Sequence, residues 1–338
     1  MSLKQSPQYY HRVLEQIQPK ARPVFEDEQM QERVWGRRWG VYNDVGTLKM
    51  VLLHRPGDEL KVMSRDKYDP SIEALIDVEE QWYFRSDREP DLAKMQEEHD
   101  TLVSIYKEHG VDVQFVDCSP RNPNAMFLRD DGIVVKGGMI ICRMGPVGVP
   151  YGTGRRGEEA YVTRKVASLG MPILHTIHGA GLMEGGSFCL IDEHHAAVGT
   201  SYRGNAEAVD QIRNVLKHQD IELIEVPLTG YSLHIDGACV MISHKRALVD
   251  VTRLPWWFLS RLEELDVQLV HLDPRDGPSA LNCMALSPKK TLMNTQAKWT
   301  ADKLDKMGHE VTLIEFDECH KHGGSIHCAS LPLIRERD

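Results

Sequence analysis

No run of about eighteen or more apolar residues occurs along the chain, which excludes a membrane-spanning helix and with it a membrane partner. The opening MSLKQSPQYYHRVLEQ lacks the apolar core of a secretory signal, so a cytoplasmic protein is expected. Positive charge is in deficit: 40 Lys and Arg against 50 Asp and Glu leave a formal net charge of -10. Phosphate backbones bind to basic surfaces, so nucleic acid is excluded as the main partner and a cationic small molecule fits better. Cysteine is scarce, odd in number at seven, and scattered singly. Cys142, Cys189, Cys239 and Cys283 sit inside short apolar runs such as MIICR and SFCLI, which marks them as small buried hydrophobes rather than halves of disulfides. A reducing compartment is implied, and it leaves room for a catalytic thiol.

What remains is an ordinary globular composition, 41% apolar and 27% charged over 338 residues, enough for one large core or two average domains. A repeat organises it. Five times a charged helical run stops at a short polar or Gly break and an alternating strand follows. The runs are Asp91 to His109, Glu158 to Leu169, Asn205 to His218, Trp256 to Leu265 and Gln296 to Met307; the strands are VDVQFVD, MPILHTI, IELIEVP, DVQLVHLD and HEVTLIEFD. Gly110, Gly170 and Gly308 stand where a helix C-terminus adopts the left-handed conformation, which only Gly reaches without strain. One or two further apolar runs precede each helix, so each unit reads strand, strand, helix, strand, about every 42–60 residues. A unit of that size cannot bury its own apolar face, and a closed ring of five would also remove exposed sheet edges. The expected fold is therefore α/β, a five-bladed ring of ββαβ units over residues 41–338, with residues 1–40 as a loosely packed N-terminal arm. A two-domain doubly wound sheet is the competing arrangement.

In such a ring the segment after each unit's last strand returns to an equivalent place. Those segments carry Asp130 in NPNAMFLRDD, Glu184 in HGAGLMEGGS, His234 and Asp236 in LTGYSLHIDG, Asn282 in DPRDGPSALNC, and Cys328 in ECHKHGGSIHC. A thiol, an imidazole and three carboxylates are thus brought into one neighbourhood by the repeat. Cys with a nearby base is the general arrangement for covalent catalysis. Two further carboxylates would repel a developing oxyanion, but they suit a planar cation such as a guanidinium.

At these segments the chain resembles the guanidine-modifying superfamily of arginine deiminases, dimethylarginine dimethylaminohydrolases and amidinotransferases. The matching pieces are PNAMFLRD, EGGS, HID and GGSIHC, with VYNDVGTLKMVLLHRPGDE similar to the family's opening strand. The resemblance runs from about Val41 nearly to the C-terminus and implies a five-unit ring, the pentein-type α/β propeller. It implies Cys328 as nucleophile, His234 as general acid and base, Glu184 orienting His234, and Asp130 and Asp236 gripping the guanidinium. Arg155 and Arg156 in TGRRGEE, and Arg203 in TSYRGN, resemble relatives' segments that hold the substrate carboxylate; Asn282 is the weakest of the substrate-binding set. No cofactor and no metal are implied, and a homodimer is expected from size and family habit. Ser187 stands where relatives carry Asp, and Ser325 where they carry Gly.

The reaction expected is hydrolysis at the guanidinium carbon of arginine or a substituted arginine through a covalent S-amidino intermediate. Transfer of the amidino group to an acceptor amine is the alternative. A reading of another class makes Cys319, His320, His322, His327 and Cys328 a structural zinc site, although their spacing fits no regular ligand frame. The Gly-rich GPVGVPYGTG is a weak phosphate fingerprint.

Overall fold

The computed structural model describes residues 3–17, 25, 27–145, 155–229 and 232–337. The chain falls into two compact units, Met1–Arg38 and Trp39–Asp338. The first holds two helices where a loose arm was expected. Ser6 caps the N-terminus of Pro7–Gln16, with Pro at the first helical position, and the Asp27 carboxylate accepts from the Gln29 and Met30 N–H groups to start Glu28–Trp35. Most of PKARPVF lies outside the described residues.

In the second unit the repeat takes shape as five three-stranded sheets, each with one antiparallel and one parallel pairing. Gly132–Val135, Gly138–Ile141 and Ile173–Thr176 form one, with helix Glu158–Ser168 as the crossover. Phe188–Leu190, His195–Thr200 and Glu222–Pro227 form the next around helix Ala206–Lys217. Cys239–Ser243, Arg246–Val249 and Gln268–His271 follow with helix Trp256–Glu264. Met284–Ser287, Lys290–Asn294 and Glu310–Ile314 follow with helix Lys298–Lys306. The remaining sheet is closed by the far end of the chain: Leu331–Arg335 pairs antiparallel with Leu48–Leu53, which pairs parallel with Asp112–Phe115 across helix Leu92–Glu108.

The breaks behave as the sequence predicts where Gly is present: Gly110, Gly170 and Gly308 have φ of 72, 86 and 77°. In the other two units Asp220 and Asp266 take the left-handed conformation instead, at 55 and 62°, which Asp tolerates better than most residues. Neighbouring sheets meet through Leu331–Arg335 against Gly132–Val135, Phe188–Leu190 against Cys239–Ser243, Cys239–Ser243 against Met284–Ser287, and Leu48–Leu53 against Met284–Ser287. Each sheet stays separate in its hydrogen bonding, and none closes on itself. Buried Arg335 anchors the last strand by donating to the Gly46 and Ala285 carbonyls at 2.7 and 2.8 Å. Tyr106, fully buried on the first crossover helix, does the same through Ser330 Oγ at 2.7 Å. A small antiparallel sheet of Tyr68–Asp69, Ala74–Asp77 and Trp82–Phe84 lies outside the repeat. Among the described residues no helix is long and apolar enough to cross a membrane.

Candidate active site

The segments after the parallel strands fold into short 3-10 turns, Leu128–Asp131, Gly185–Ser187, Ile235–Gly237 and Pro278–Leu281, and consecutive turns touch one another. The fifth segment is a short helix, Asp317–His320, and the loop after it. Buried Glu98 accepts from the Glu318 and Cys319 N–H groups at 3.0 Å each, an anion at a helix N-terminus that fixes where the loop begins. All but the Pro278–Leu281 segment line a cavity of about 120 Å³ reached by Asp130, Arg155, Glu184, Arg203, His234 and Cys328.

His234 sits among three carboxylates. Its Nε2 is 2.6 Å from Glu184, and its Nδ1 is 3.6 Å from Asp130 and 3.9 Å from Asp236. Burial alone would lower its pKa, but Asp130, Glu184 and Asp236 outweigh burial and hold it up at about 9. A rise of that size favours the imidazolium by roughly 3 kcal/mol. Burial would raise Glu184, yet the hydrogen bond and charge of His234, with Arg203 and Arg155, hold it down at about 2. An ion pair is therefore the resting state at neutral pH. A Cβ on Gly186 would lie 2.7 Å from His234 Nδ1, 2.8 Å from Asp130 and 3.0 Å from Asp236, so only Gly admits this convergence. The Gly186 N–H also donates to Asp130 at 3.1 Å.

Cys328 is partly buried, and Asn282 holds it. The Asn282 Nδ2 donates to Sγ at 2.9 Å, while its Oδ1 accepts from the His327 and Cys328 N–H groups at 2.8 and 3.2 Å. Burial pushes the thiol well above its ordinary range, and Asp236 and Asp130 push it further; the Asn282 and Ser325 hydrogen bonds oppose them. Asp236 accepts from His327 Nδ1 at 3.0 Å, and is held low against its burial by that bond and by the neighbouring charges.

The arginines are engaged. Arg155 pairs with Asp130 and with Glu158 at 2.9 Å, and donates to the Phe127 carbonyl at 3.0 Å. Arg203 donates to Glu184 at 2.8 Å. Arg156 turns to the Met144 carbonyl at 3.0 Å and Glu159 at 3.1 Å rather than to the cavity. Donor atoms of Asp130, Glu184 and His234 lie within 4.8 Å of one another, a grouping that could hold a cation, but Arg155 and Arg203 already neutralise its carboxylates.

Several lining residues carried no signal in the reading above. Tyr83 arrives from the extra sheet and Gln81 from the turn before its last strand, Asn124 and Phe127 come from a segment whose other residues drew attention, and His322 was read only as a zinc ligand. His322 is buried against Asn124, and burial with the Arg155 charge lowers it to about 3. Ser187 and Ser325 are buried, and neither hydroxyl has a hydrogen-bond partner among the described residues. The zinc reading fails on direction. Cys319 faces the Met95 carbonyl, His320 the Gly324 carbonyl, His322 Asn124, His327 Asp236 and Cys328 Asn282, so the five groups do not converge. Residues 146–154, most of the Gly-rich GPVGVPYGTG, lie outside the described residues.

Comparison with known proteins bears on the fold and the family. A family model described as "N,N dimethylarginine dimethylhydrolase, eukaryotic" matches residues 76–335. The N(G),N(G)-dimethylarginine dimethylaminohydrolase of Pseudomonas aeruginosa is 24% identical over 242 residues, 72% of this chain and 89% of its own. A solved structure of the Pseudomonas aeruginosa enzyme, a cysteine-to-serine variant complexed with citrulline, has a TM-score of 0.66 at 21% identity and covers 84% of this chain and 99% of its own. Inosamine-phosphate amidinotransferase from Streptomyces griseus has a TM-score of 0.67 at 14% identity over 88% of this chain and 97% of its own. The fold is thus the pentein-type α/β fold, and the protein is a guanidine-modifying enzyme, a hydrolase or transferase acting on C–N bonds. Within that class the chain belongs to the dimethylarginine dimethylhydrolase family.

Proposed function

We propose that the protein hydrolyses an N-methylated arginine, releasing the alkylamine and citrulline, with Cys328 attacking the guanidinium carbon. The observation that carries the reading is the sharing of one cavity by the Cys328 thiol, the His234–Glu184 pair and Asp130. Family membership supports the substrate class.

The chemistry follows from the charges. A buried thiol beside Asp130 and Asp236 stays protonated, so ionisation waits for a cation. A substrate guanidinium supplies that cation, the thiol gives up its proton to solvent as the guanidinium enters, and the Asn282 amide then donates to the thiolate. Attack on the central carbon forms a tetrahedral adduct, and the imidazolium of His234 protonates the departing amine. The neutral imidazole next takes a proton from water, which attacks the S-amidino carbon and releases Cys328. Glu184 holds the imidazole ring throughout.

Substrate entry is an exchange of partners. The amino-acid carboxylate draws Arg155 and Arg203, which frees Asp130 and Glu184 to face the incoming guanidinium; charge is conserved and no carboxylate is left bare. Asp236, behind His234, adds negative potential, and Arg156 and Asn282 act on the loops rather than on the substrate. The domain spanning residues 41–338 is read as a ring of five units, supported by the succession of sheet neighbours that returns from Met284–Ser287 to Leu48–Leu53.

The test is product analysis with arginine, N-methylated arginines and other guanidino acids. Dimethylamine and citrulline from dimethylarginine without an added amine support the reading. Ornithine formed only with an acceptor amine would replace it with amidino transfer.

A further inference from the structure

We propose that His54, Glu59 and Cys118 form a second site, apart from the catalytic cavity, that binds a divalent metal of the zinc class. His54 follows strand Leu48–Leu53 directly, and Cys118 lies just beyond the parallel strand Asp112–Phe115, so the first sheet brings the two together. Glu59 arrives from the 3-10 turn Asp58–Val62. The three donor atoms lie within 4.8 Å of one another.

The pairwise geometry fits a shared ion. His54 Nε2 is 3.2 Å from Glu59 Oε1 and 3.3 Å from Cys118 Sγ. A tetrahedral zinc with ordinary bond lengths sets those two edges at about 3.4 and 3.6 Å, so each need lengthen only about 0.2–0.3 Å. The same Nε2 faces a carboxylate and a thiol, and its one available proton cannot satisfy both directions well. An ion bound by all three does. The other ring nitrogen, Nδ1, is 2.8 Å from the Val116 carbonyl. That bond keeps a proton on Nδ1 and leaves Nε2 as the nitrogen that ligates once its own proton has left, the outer support metal-binding imidazoles ordinarily have.

Burial and donor type narrow the ion. The side chains of His54 and Glu59 are 9% and 5% exposed, and the Gly57 N–H fixes Glu59 by donating to its carboxylate at 2.7 Å. Cys118 is partly exposed, which gives an entry path and leaves a fourth position to water. Thiolate, imidazole and carboxylate together select a borderline ion such as zinc over magnesium or calcium, which prefer oxygen alone. Binding displaces the thiol proton and the Nε2 proton to solvent as the metal–sulfur and metal–nitrogen bonds form.

The test is cobalt(II) titration of the full-length protein followed by zinc competition, in wild type, Cys118→Ser, Glu59→Gln and Cys328→Ser. A thiolate-to-cobalt charge-transfer band should saturate at one equivalent in wild type and in Cys328→Ser, and zinc should abolish it. Cys118→Ser should lose the band, and Glu59→Gln should weaken affinity about tenfold or more. Circular dichroism checks that both variants are folded. In Cys328→Ser, zinc should also protect Cys118 from iodoacetamide, read by peptide mass spectrometry, which needs no substitution at the site. Absence of a band, a band that vanishes in Cys328→Ser and survives in Cys118→Ser, or alkylation unaffected by zinc would overturn the proposal.

Discussion

Asn282 Nδ2 lies 2.9 Å from Cys328 Sγ, while Asn282 Oδ1 gathers the backbone N–H groups of His327 and Cys328. One amide thus sets the Cys328 loop and offers the thiol its only side-chain hydrogen bond among the described residues. A hydrogen bond to a charged group contributes about 1.5–3 kcal/mol. Asn282→Ala should accordingly lower kcat about 10- to 100-fold with a smaller change in KM, as steady-state kinetics would show. Asn282→Asp should be worse, because a third carboxylate beside the thiol, with Asp130 and Asp236, opposes its ionisation.

Gly186 is the position at which the His234, Asp130 and Asp236 side chains leave no room. Gly186→Ala places a methyl within 3.0 Å of His234, Asp130 and Asp236, and at least one must move. Activity should fall about 100-fold or more for a displacement near 1 Å, while the melting temperature falls by only a few degrees. A fully active variant would show that the convergence around Gly186 is not the working geometry.

The His234–Glu184 pair makes stability depend on pH in a defined window. His234 is raised from 6.5 to about 9, so its contribution is complete below pH 6.5 and is lost as pH rises through 9. Glu184 is lowered from 4.5 to about 2, so its contribution is complete above pH 4.5 and is lost as pH falls through 2. The difference in melting temperature between wild type and Glu184→Gln should therefore be widest between pH 4.5 and 6.5 and narrow on both sides. A difference that stays flat from pH 4.5 to 10 would contradict the ion pair.

The resting thiol should be neutral. Thiolate absorbance in the ultraviolet, wild type minus Cys328→Ser, should be absent at pH 8 without ligand and appear when an unreactive guanidinium compound is added. Thiolate already present in the free enzyme would contradict the burial and carboxylate effects on Cys328.

The repeat was legible because its signals are local. Asn205 caps a helix, Gly170 ends one, and the strands after the breaks alternate with a period of two. Asp220 and Asp266 do the work of Gly at two breaks, which weakens the pattern without removing it. What the sequence concealed is non-local. Leu331–Arg335 completes a sheet begun some 280 residues earlier, and nothing near it signals that pairing. That Cys328, His234, Glu184 and Asp130 share one cavity was legible because the repeat and the motifs coincide on them. The contact of Asn282 with Sγ was not, since Asn in a loop ordinarily serves the turn itself. Tyr83 comes from a sheet outside the repeat and Gln81 from the turn before its last strand, and the partners of Arg155, Arg156 and Arg203 depend on side-chain directions that spacing does not encode.

The measurement that bears most directly on the account is mass spectrometry of acid-quenched protein and of products during turnover of N,N-dimethylarginine by wild type and Cys328→Ser. The account predicts dimethylamine and citrulline from wild type, a mass increment on the Cys328 peptide matching an amidino adduct, and loss of both in Cys328→Ser. Full turnover by Cys328→Ser, or an adduct on another cysteine, would contradict it.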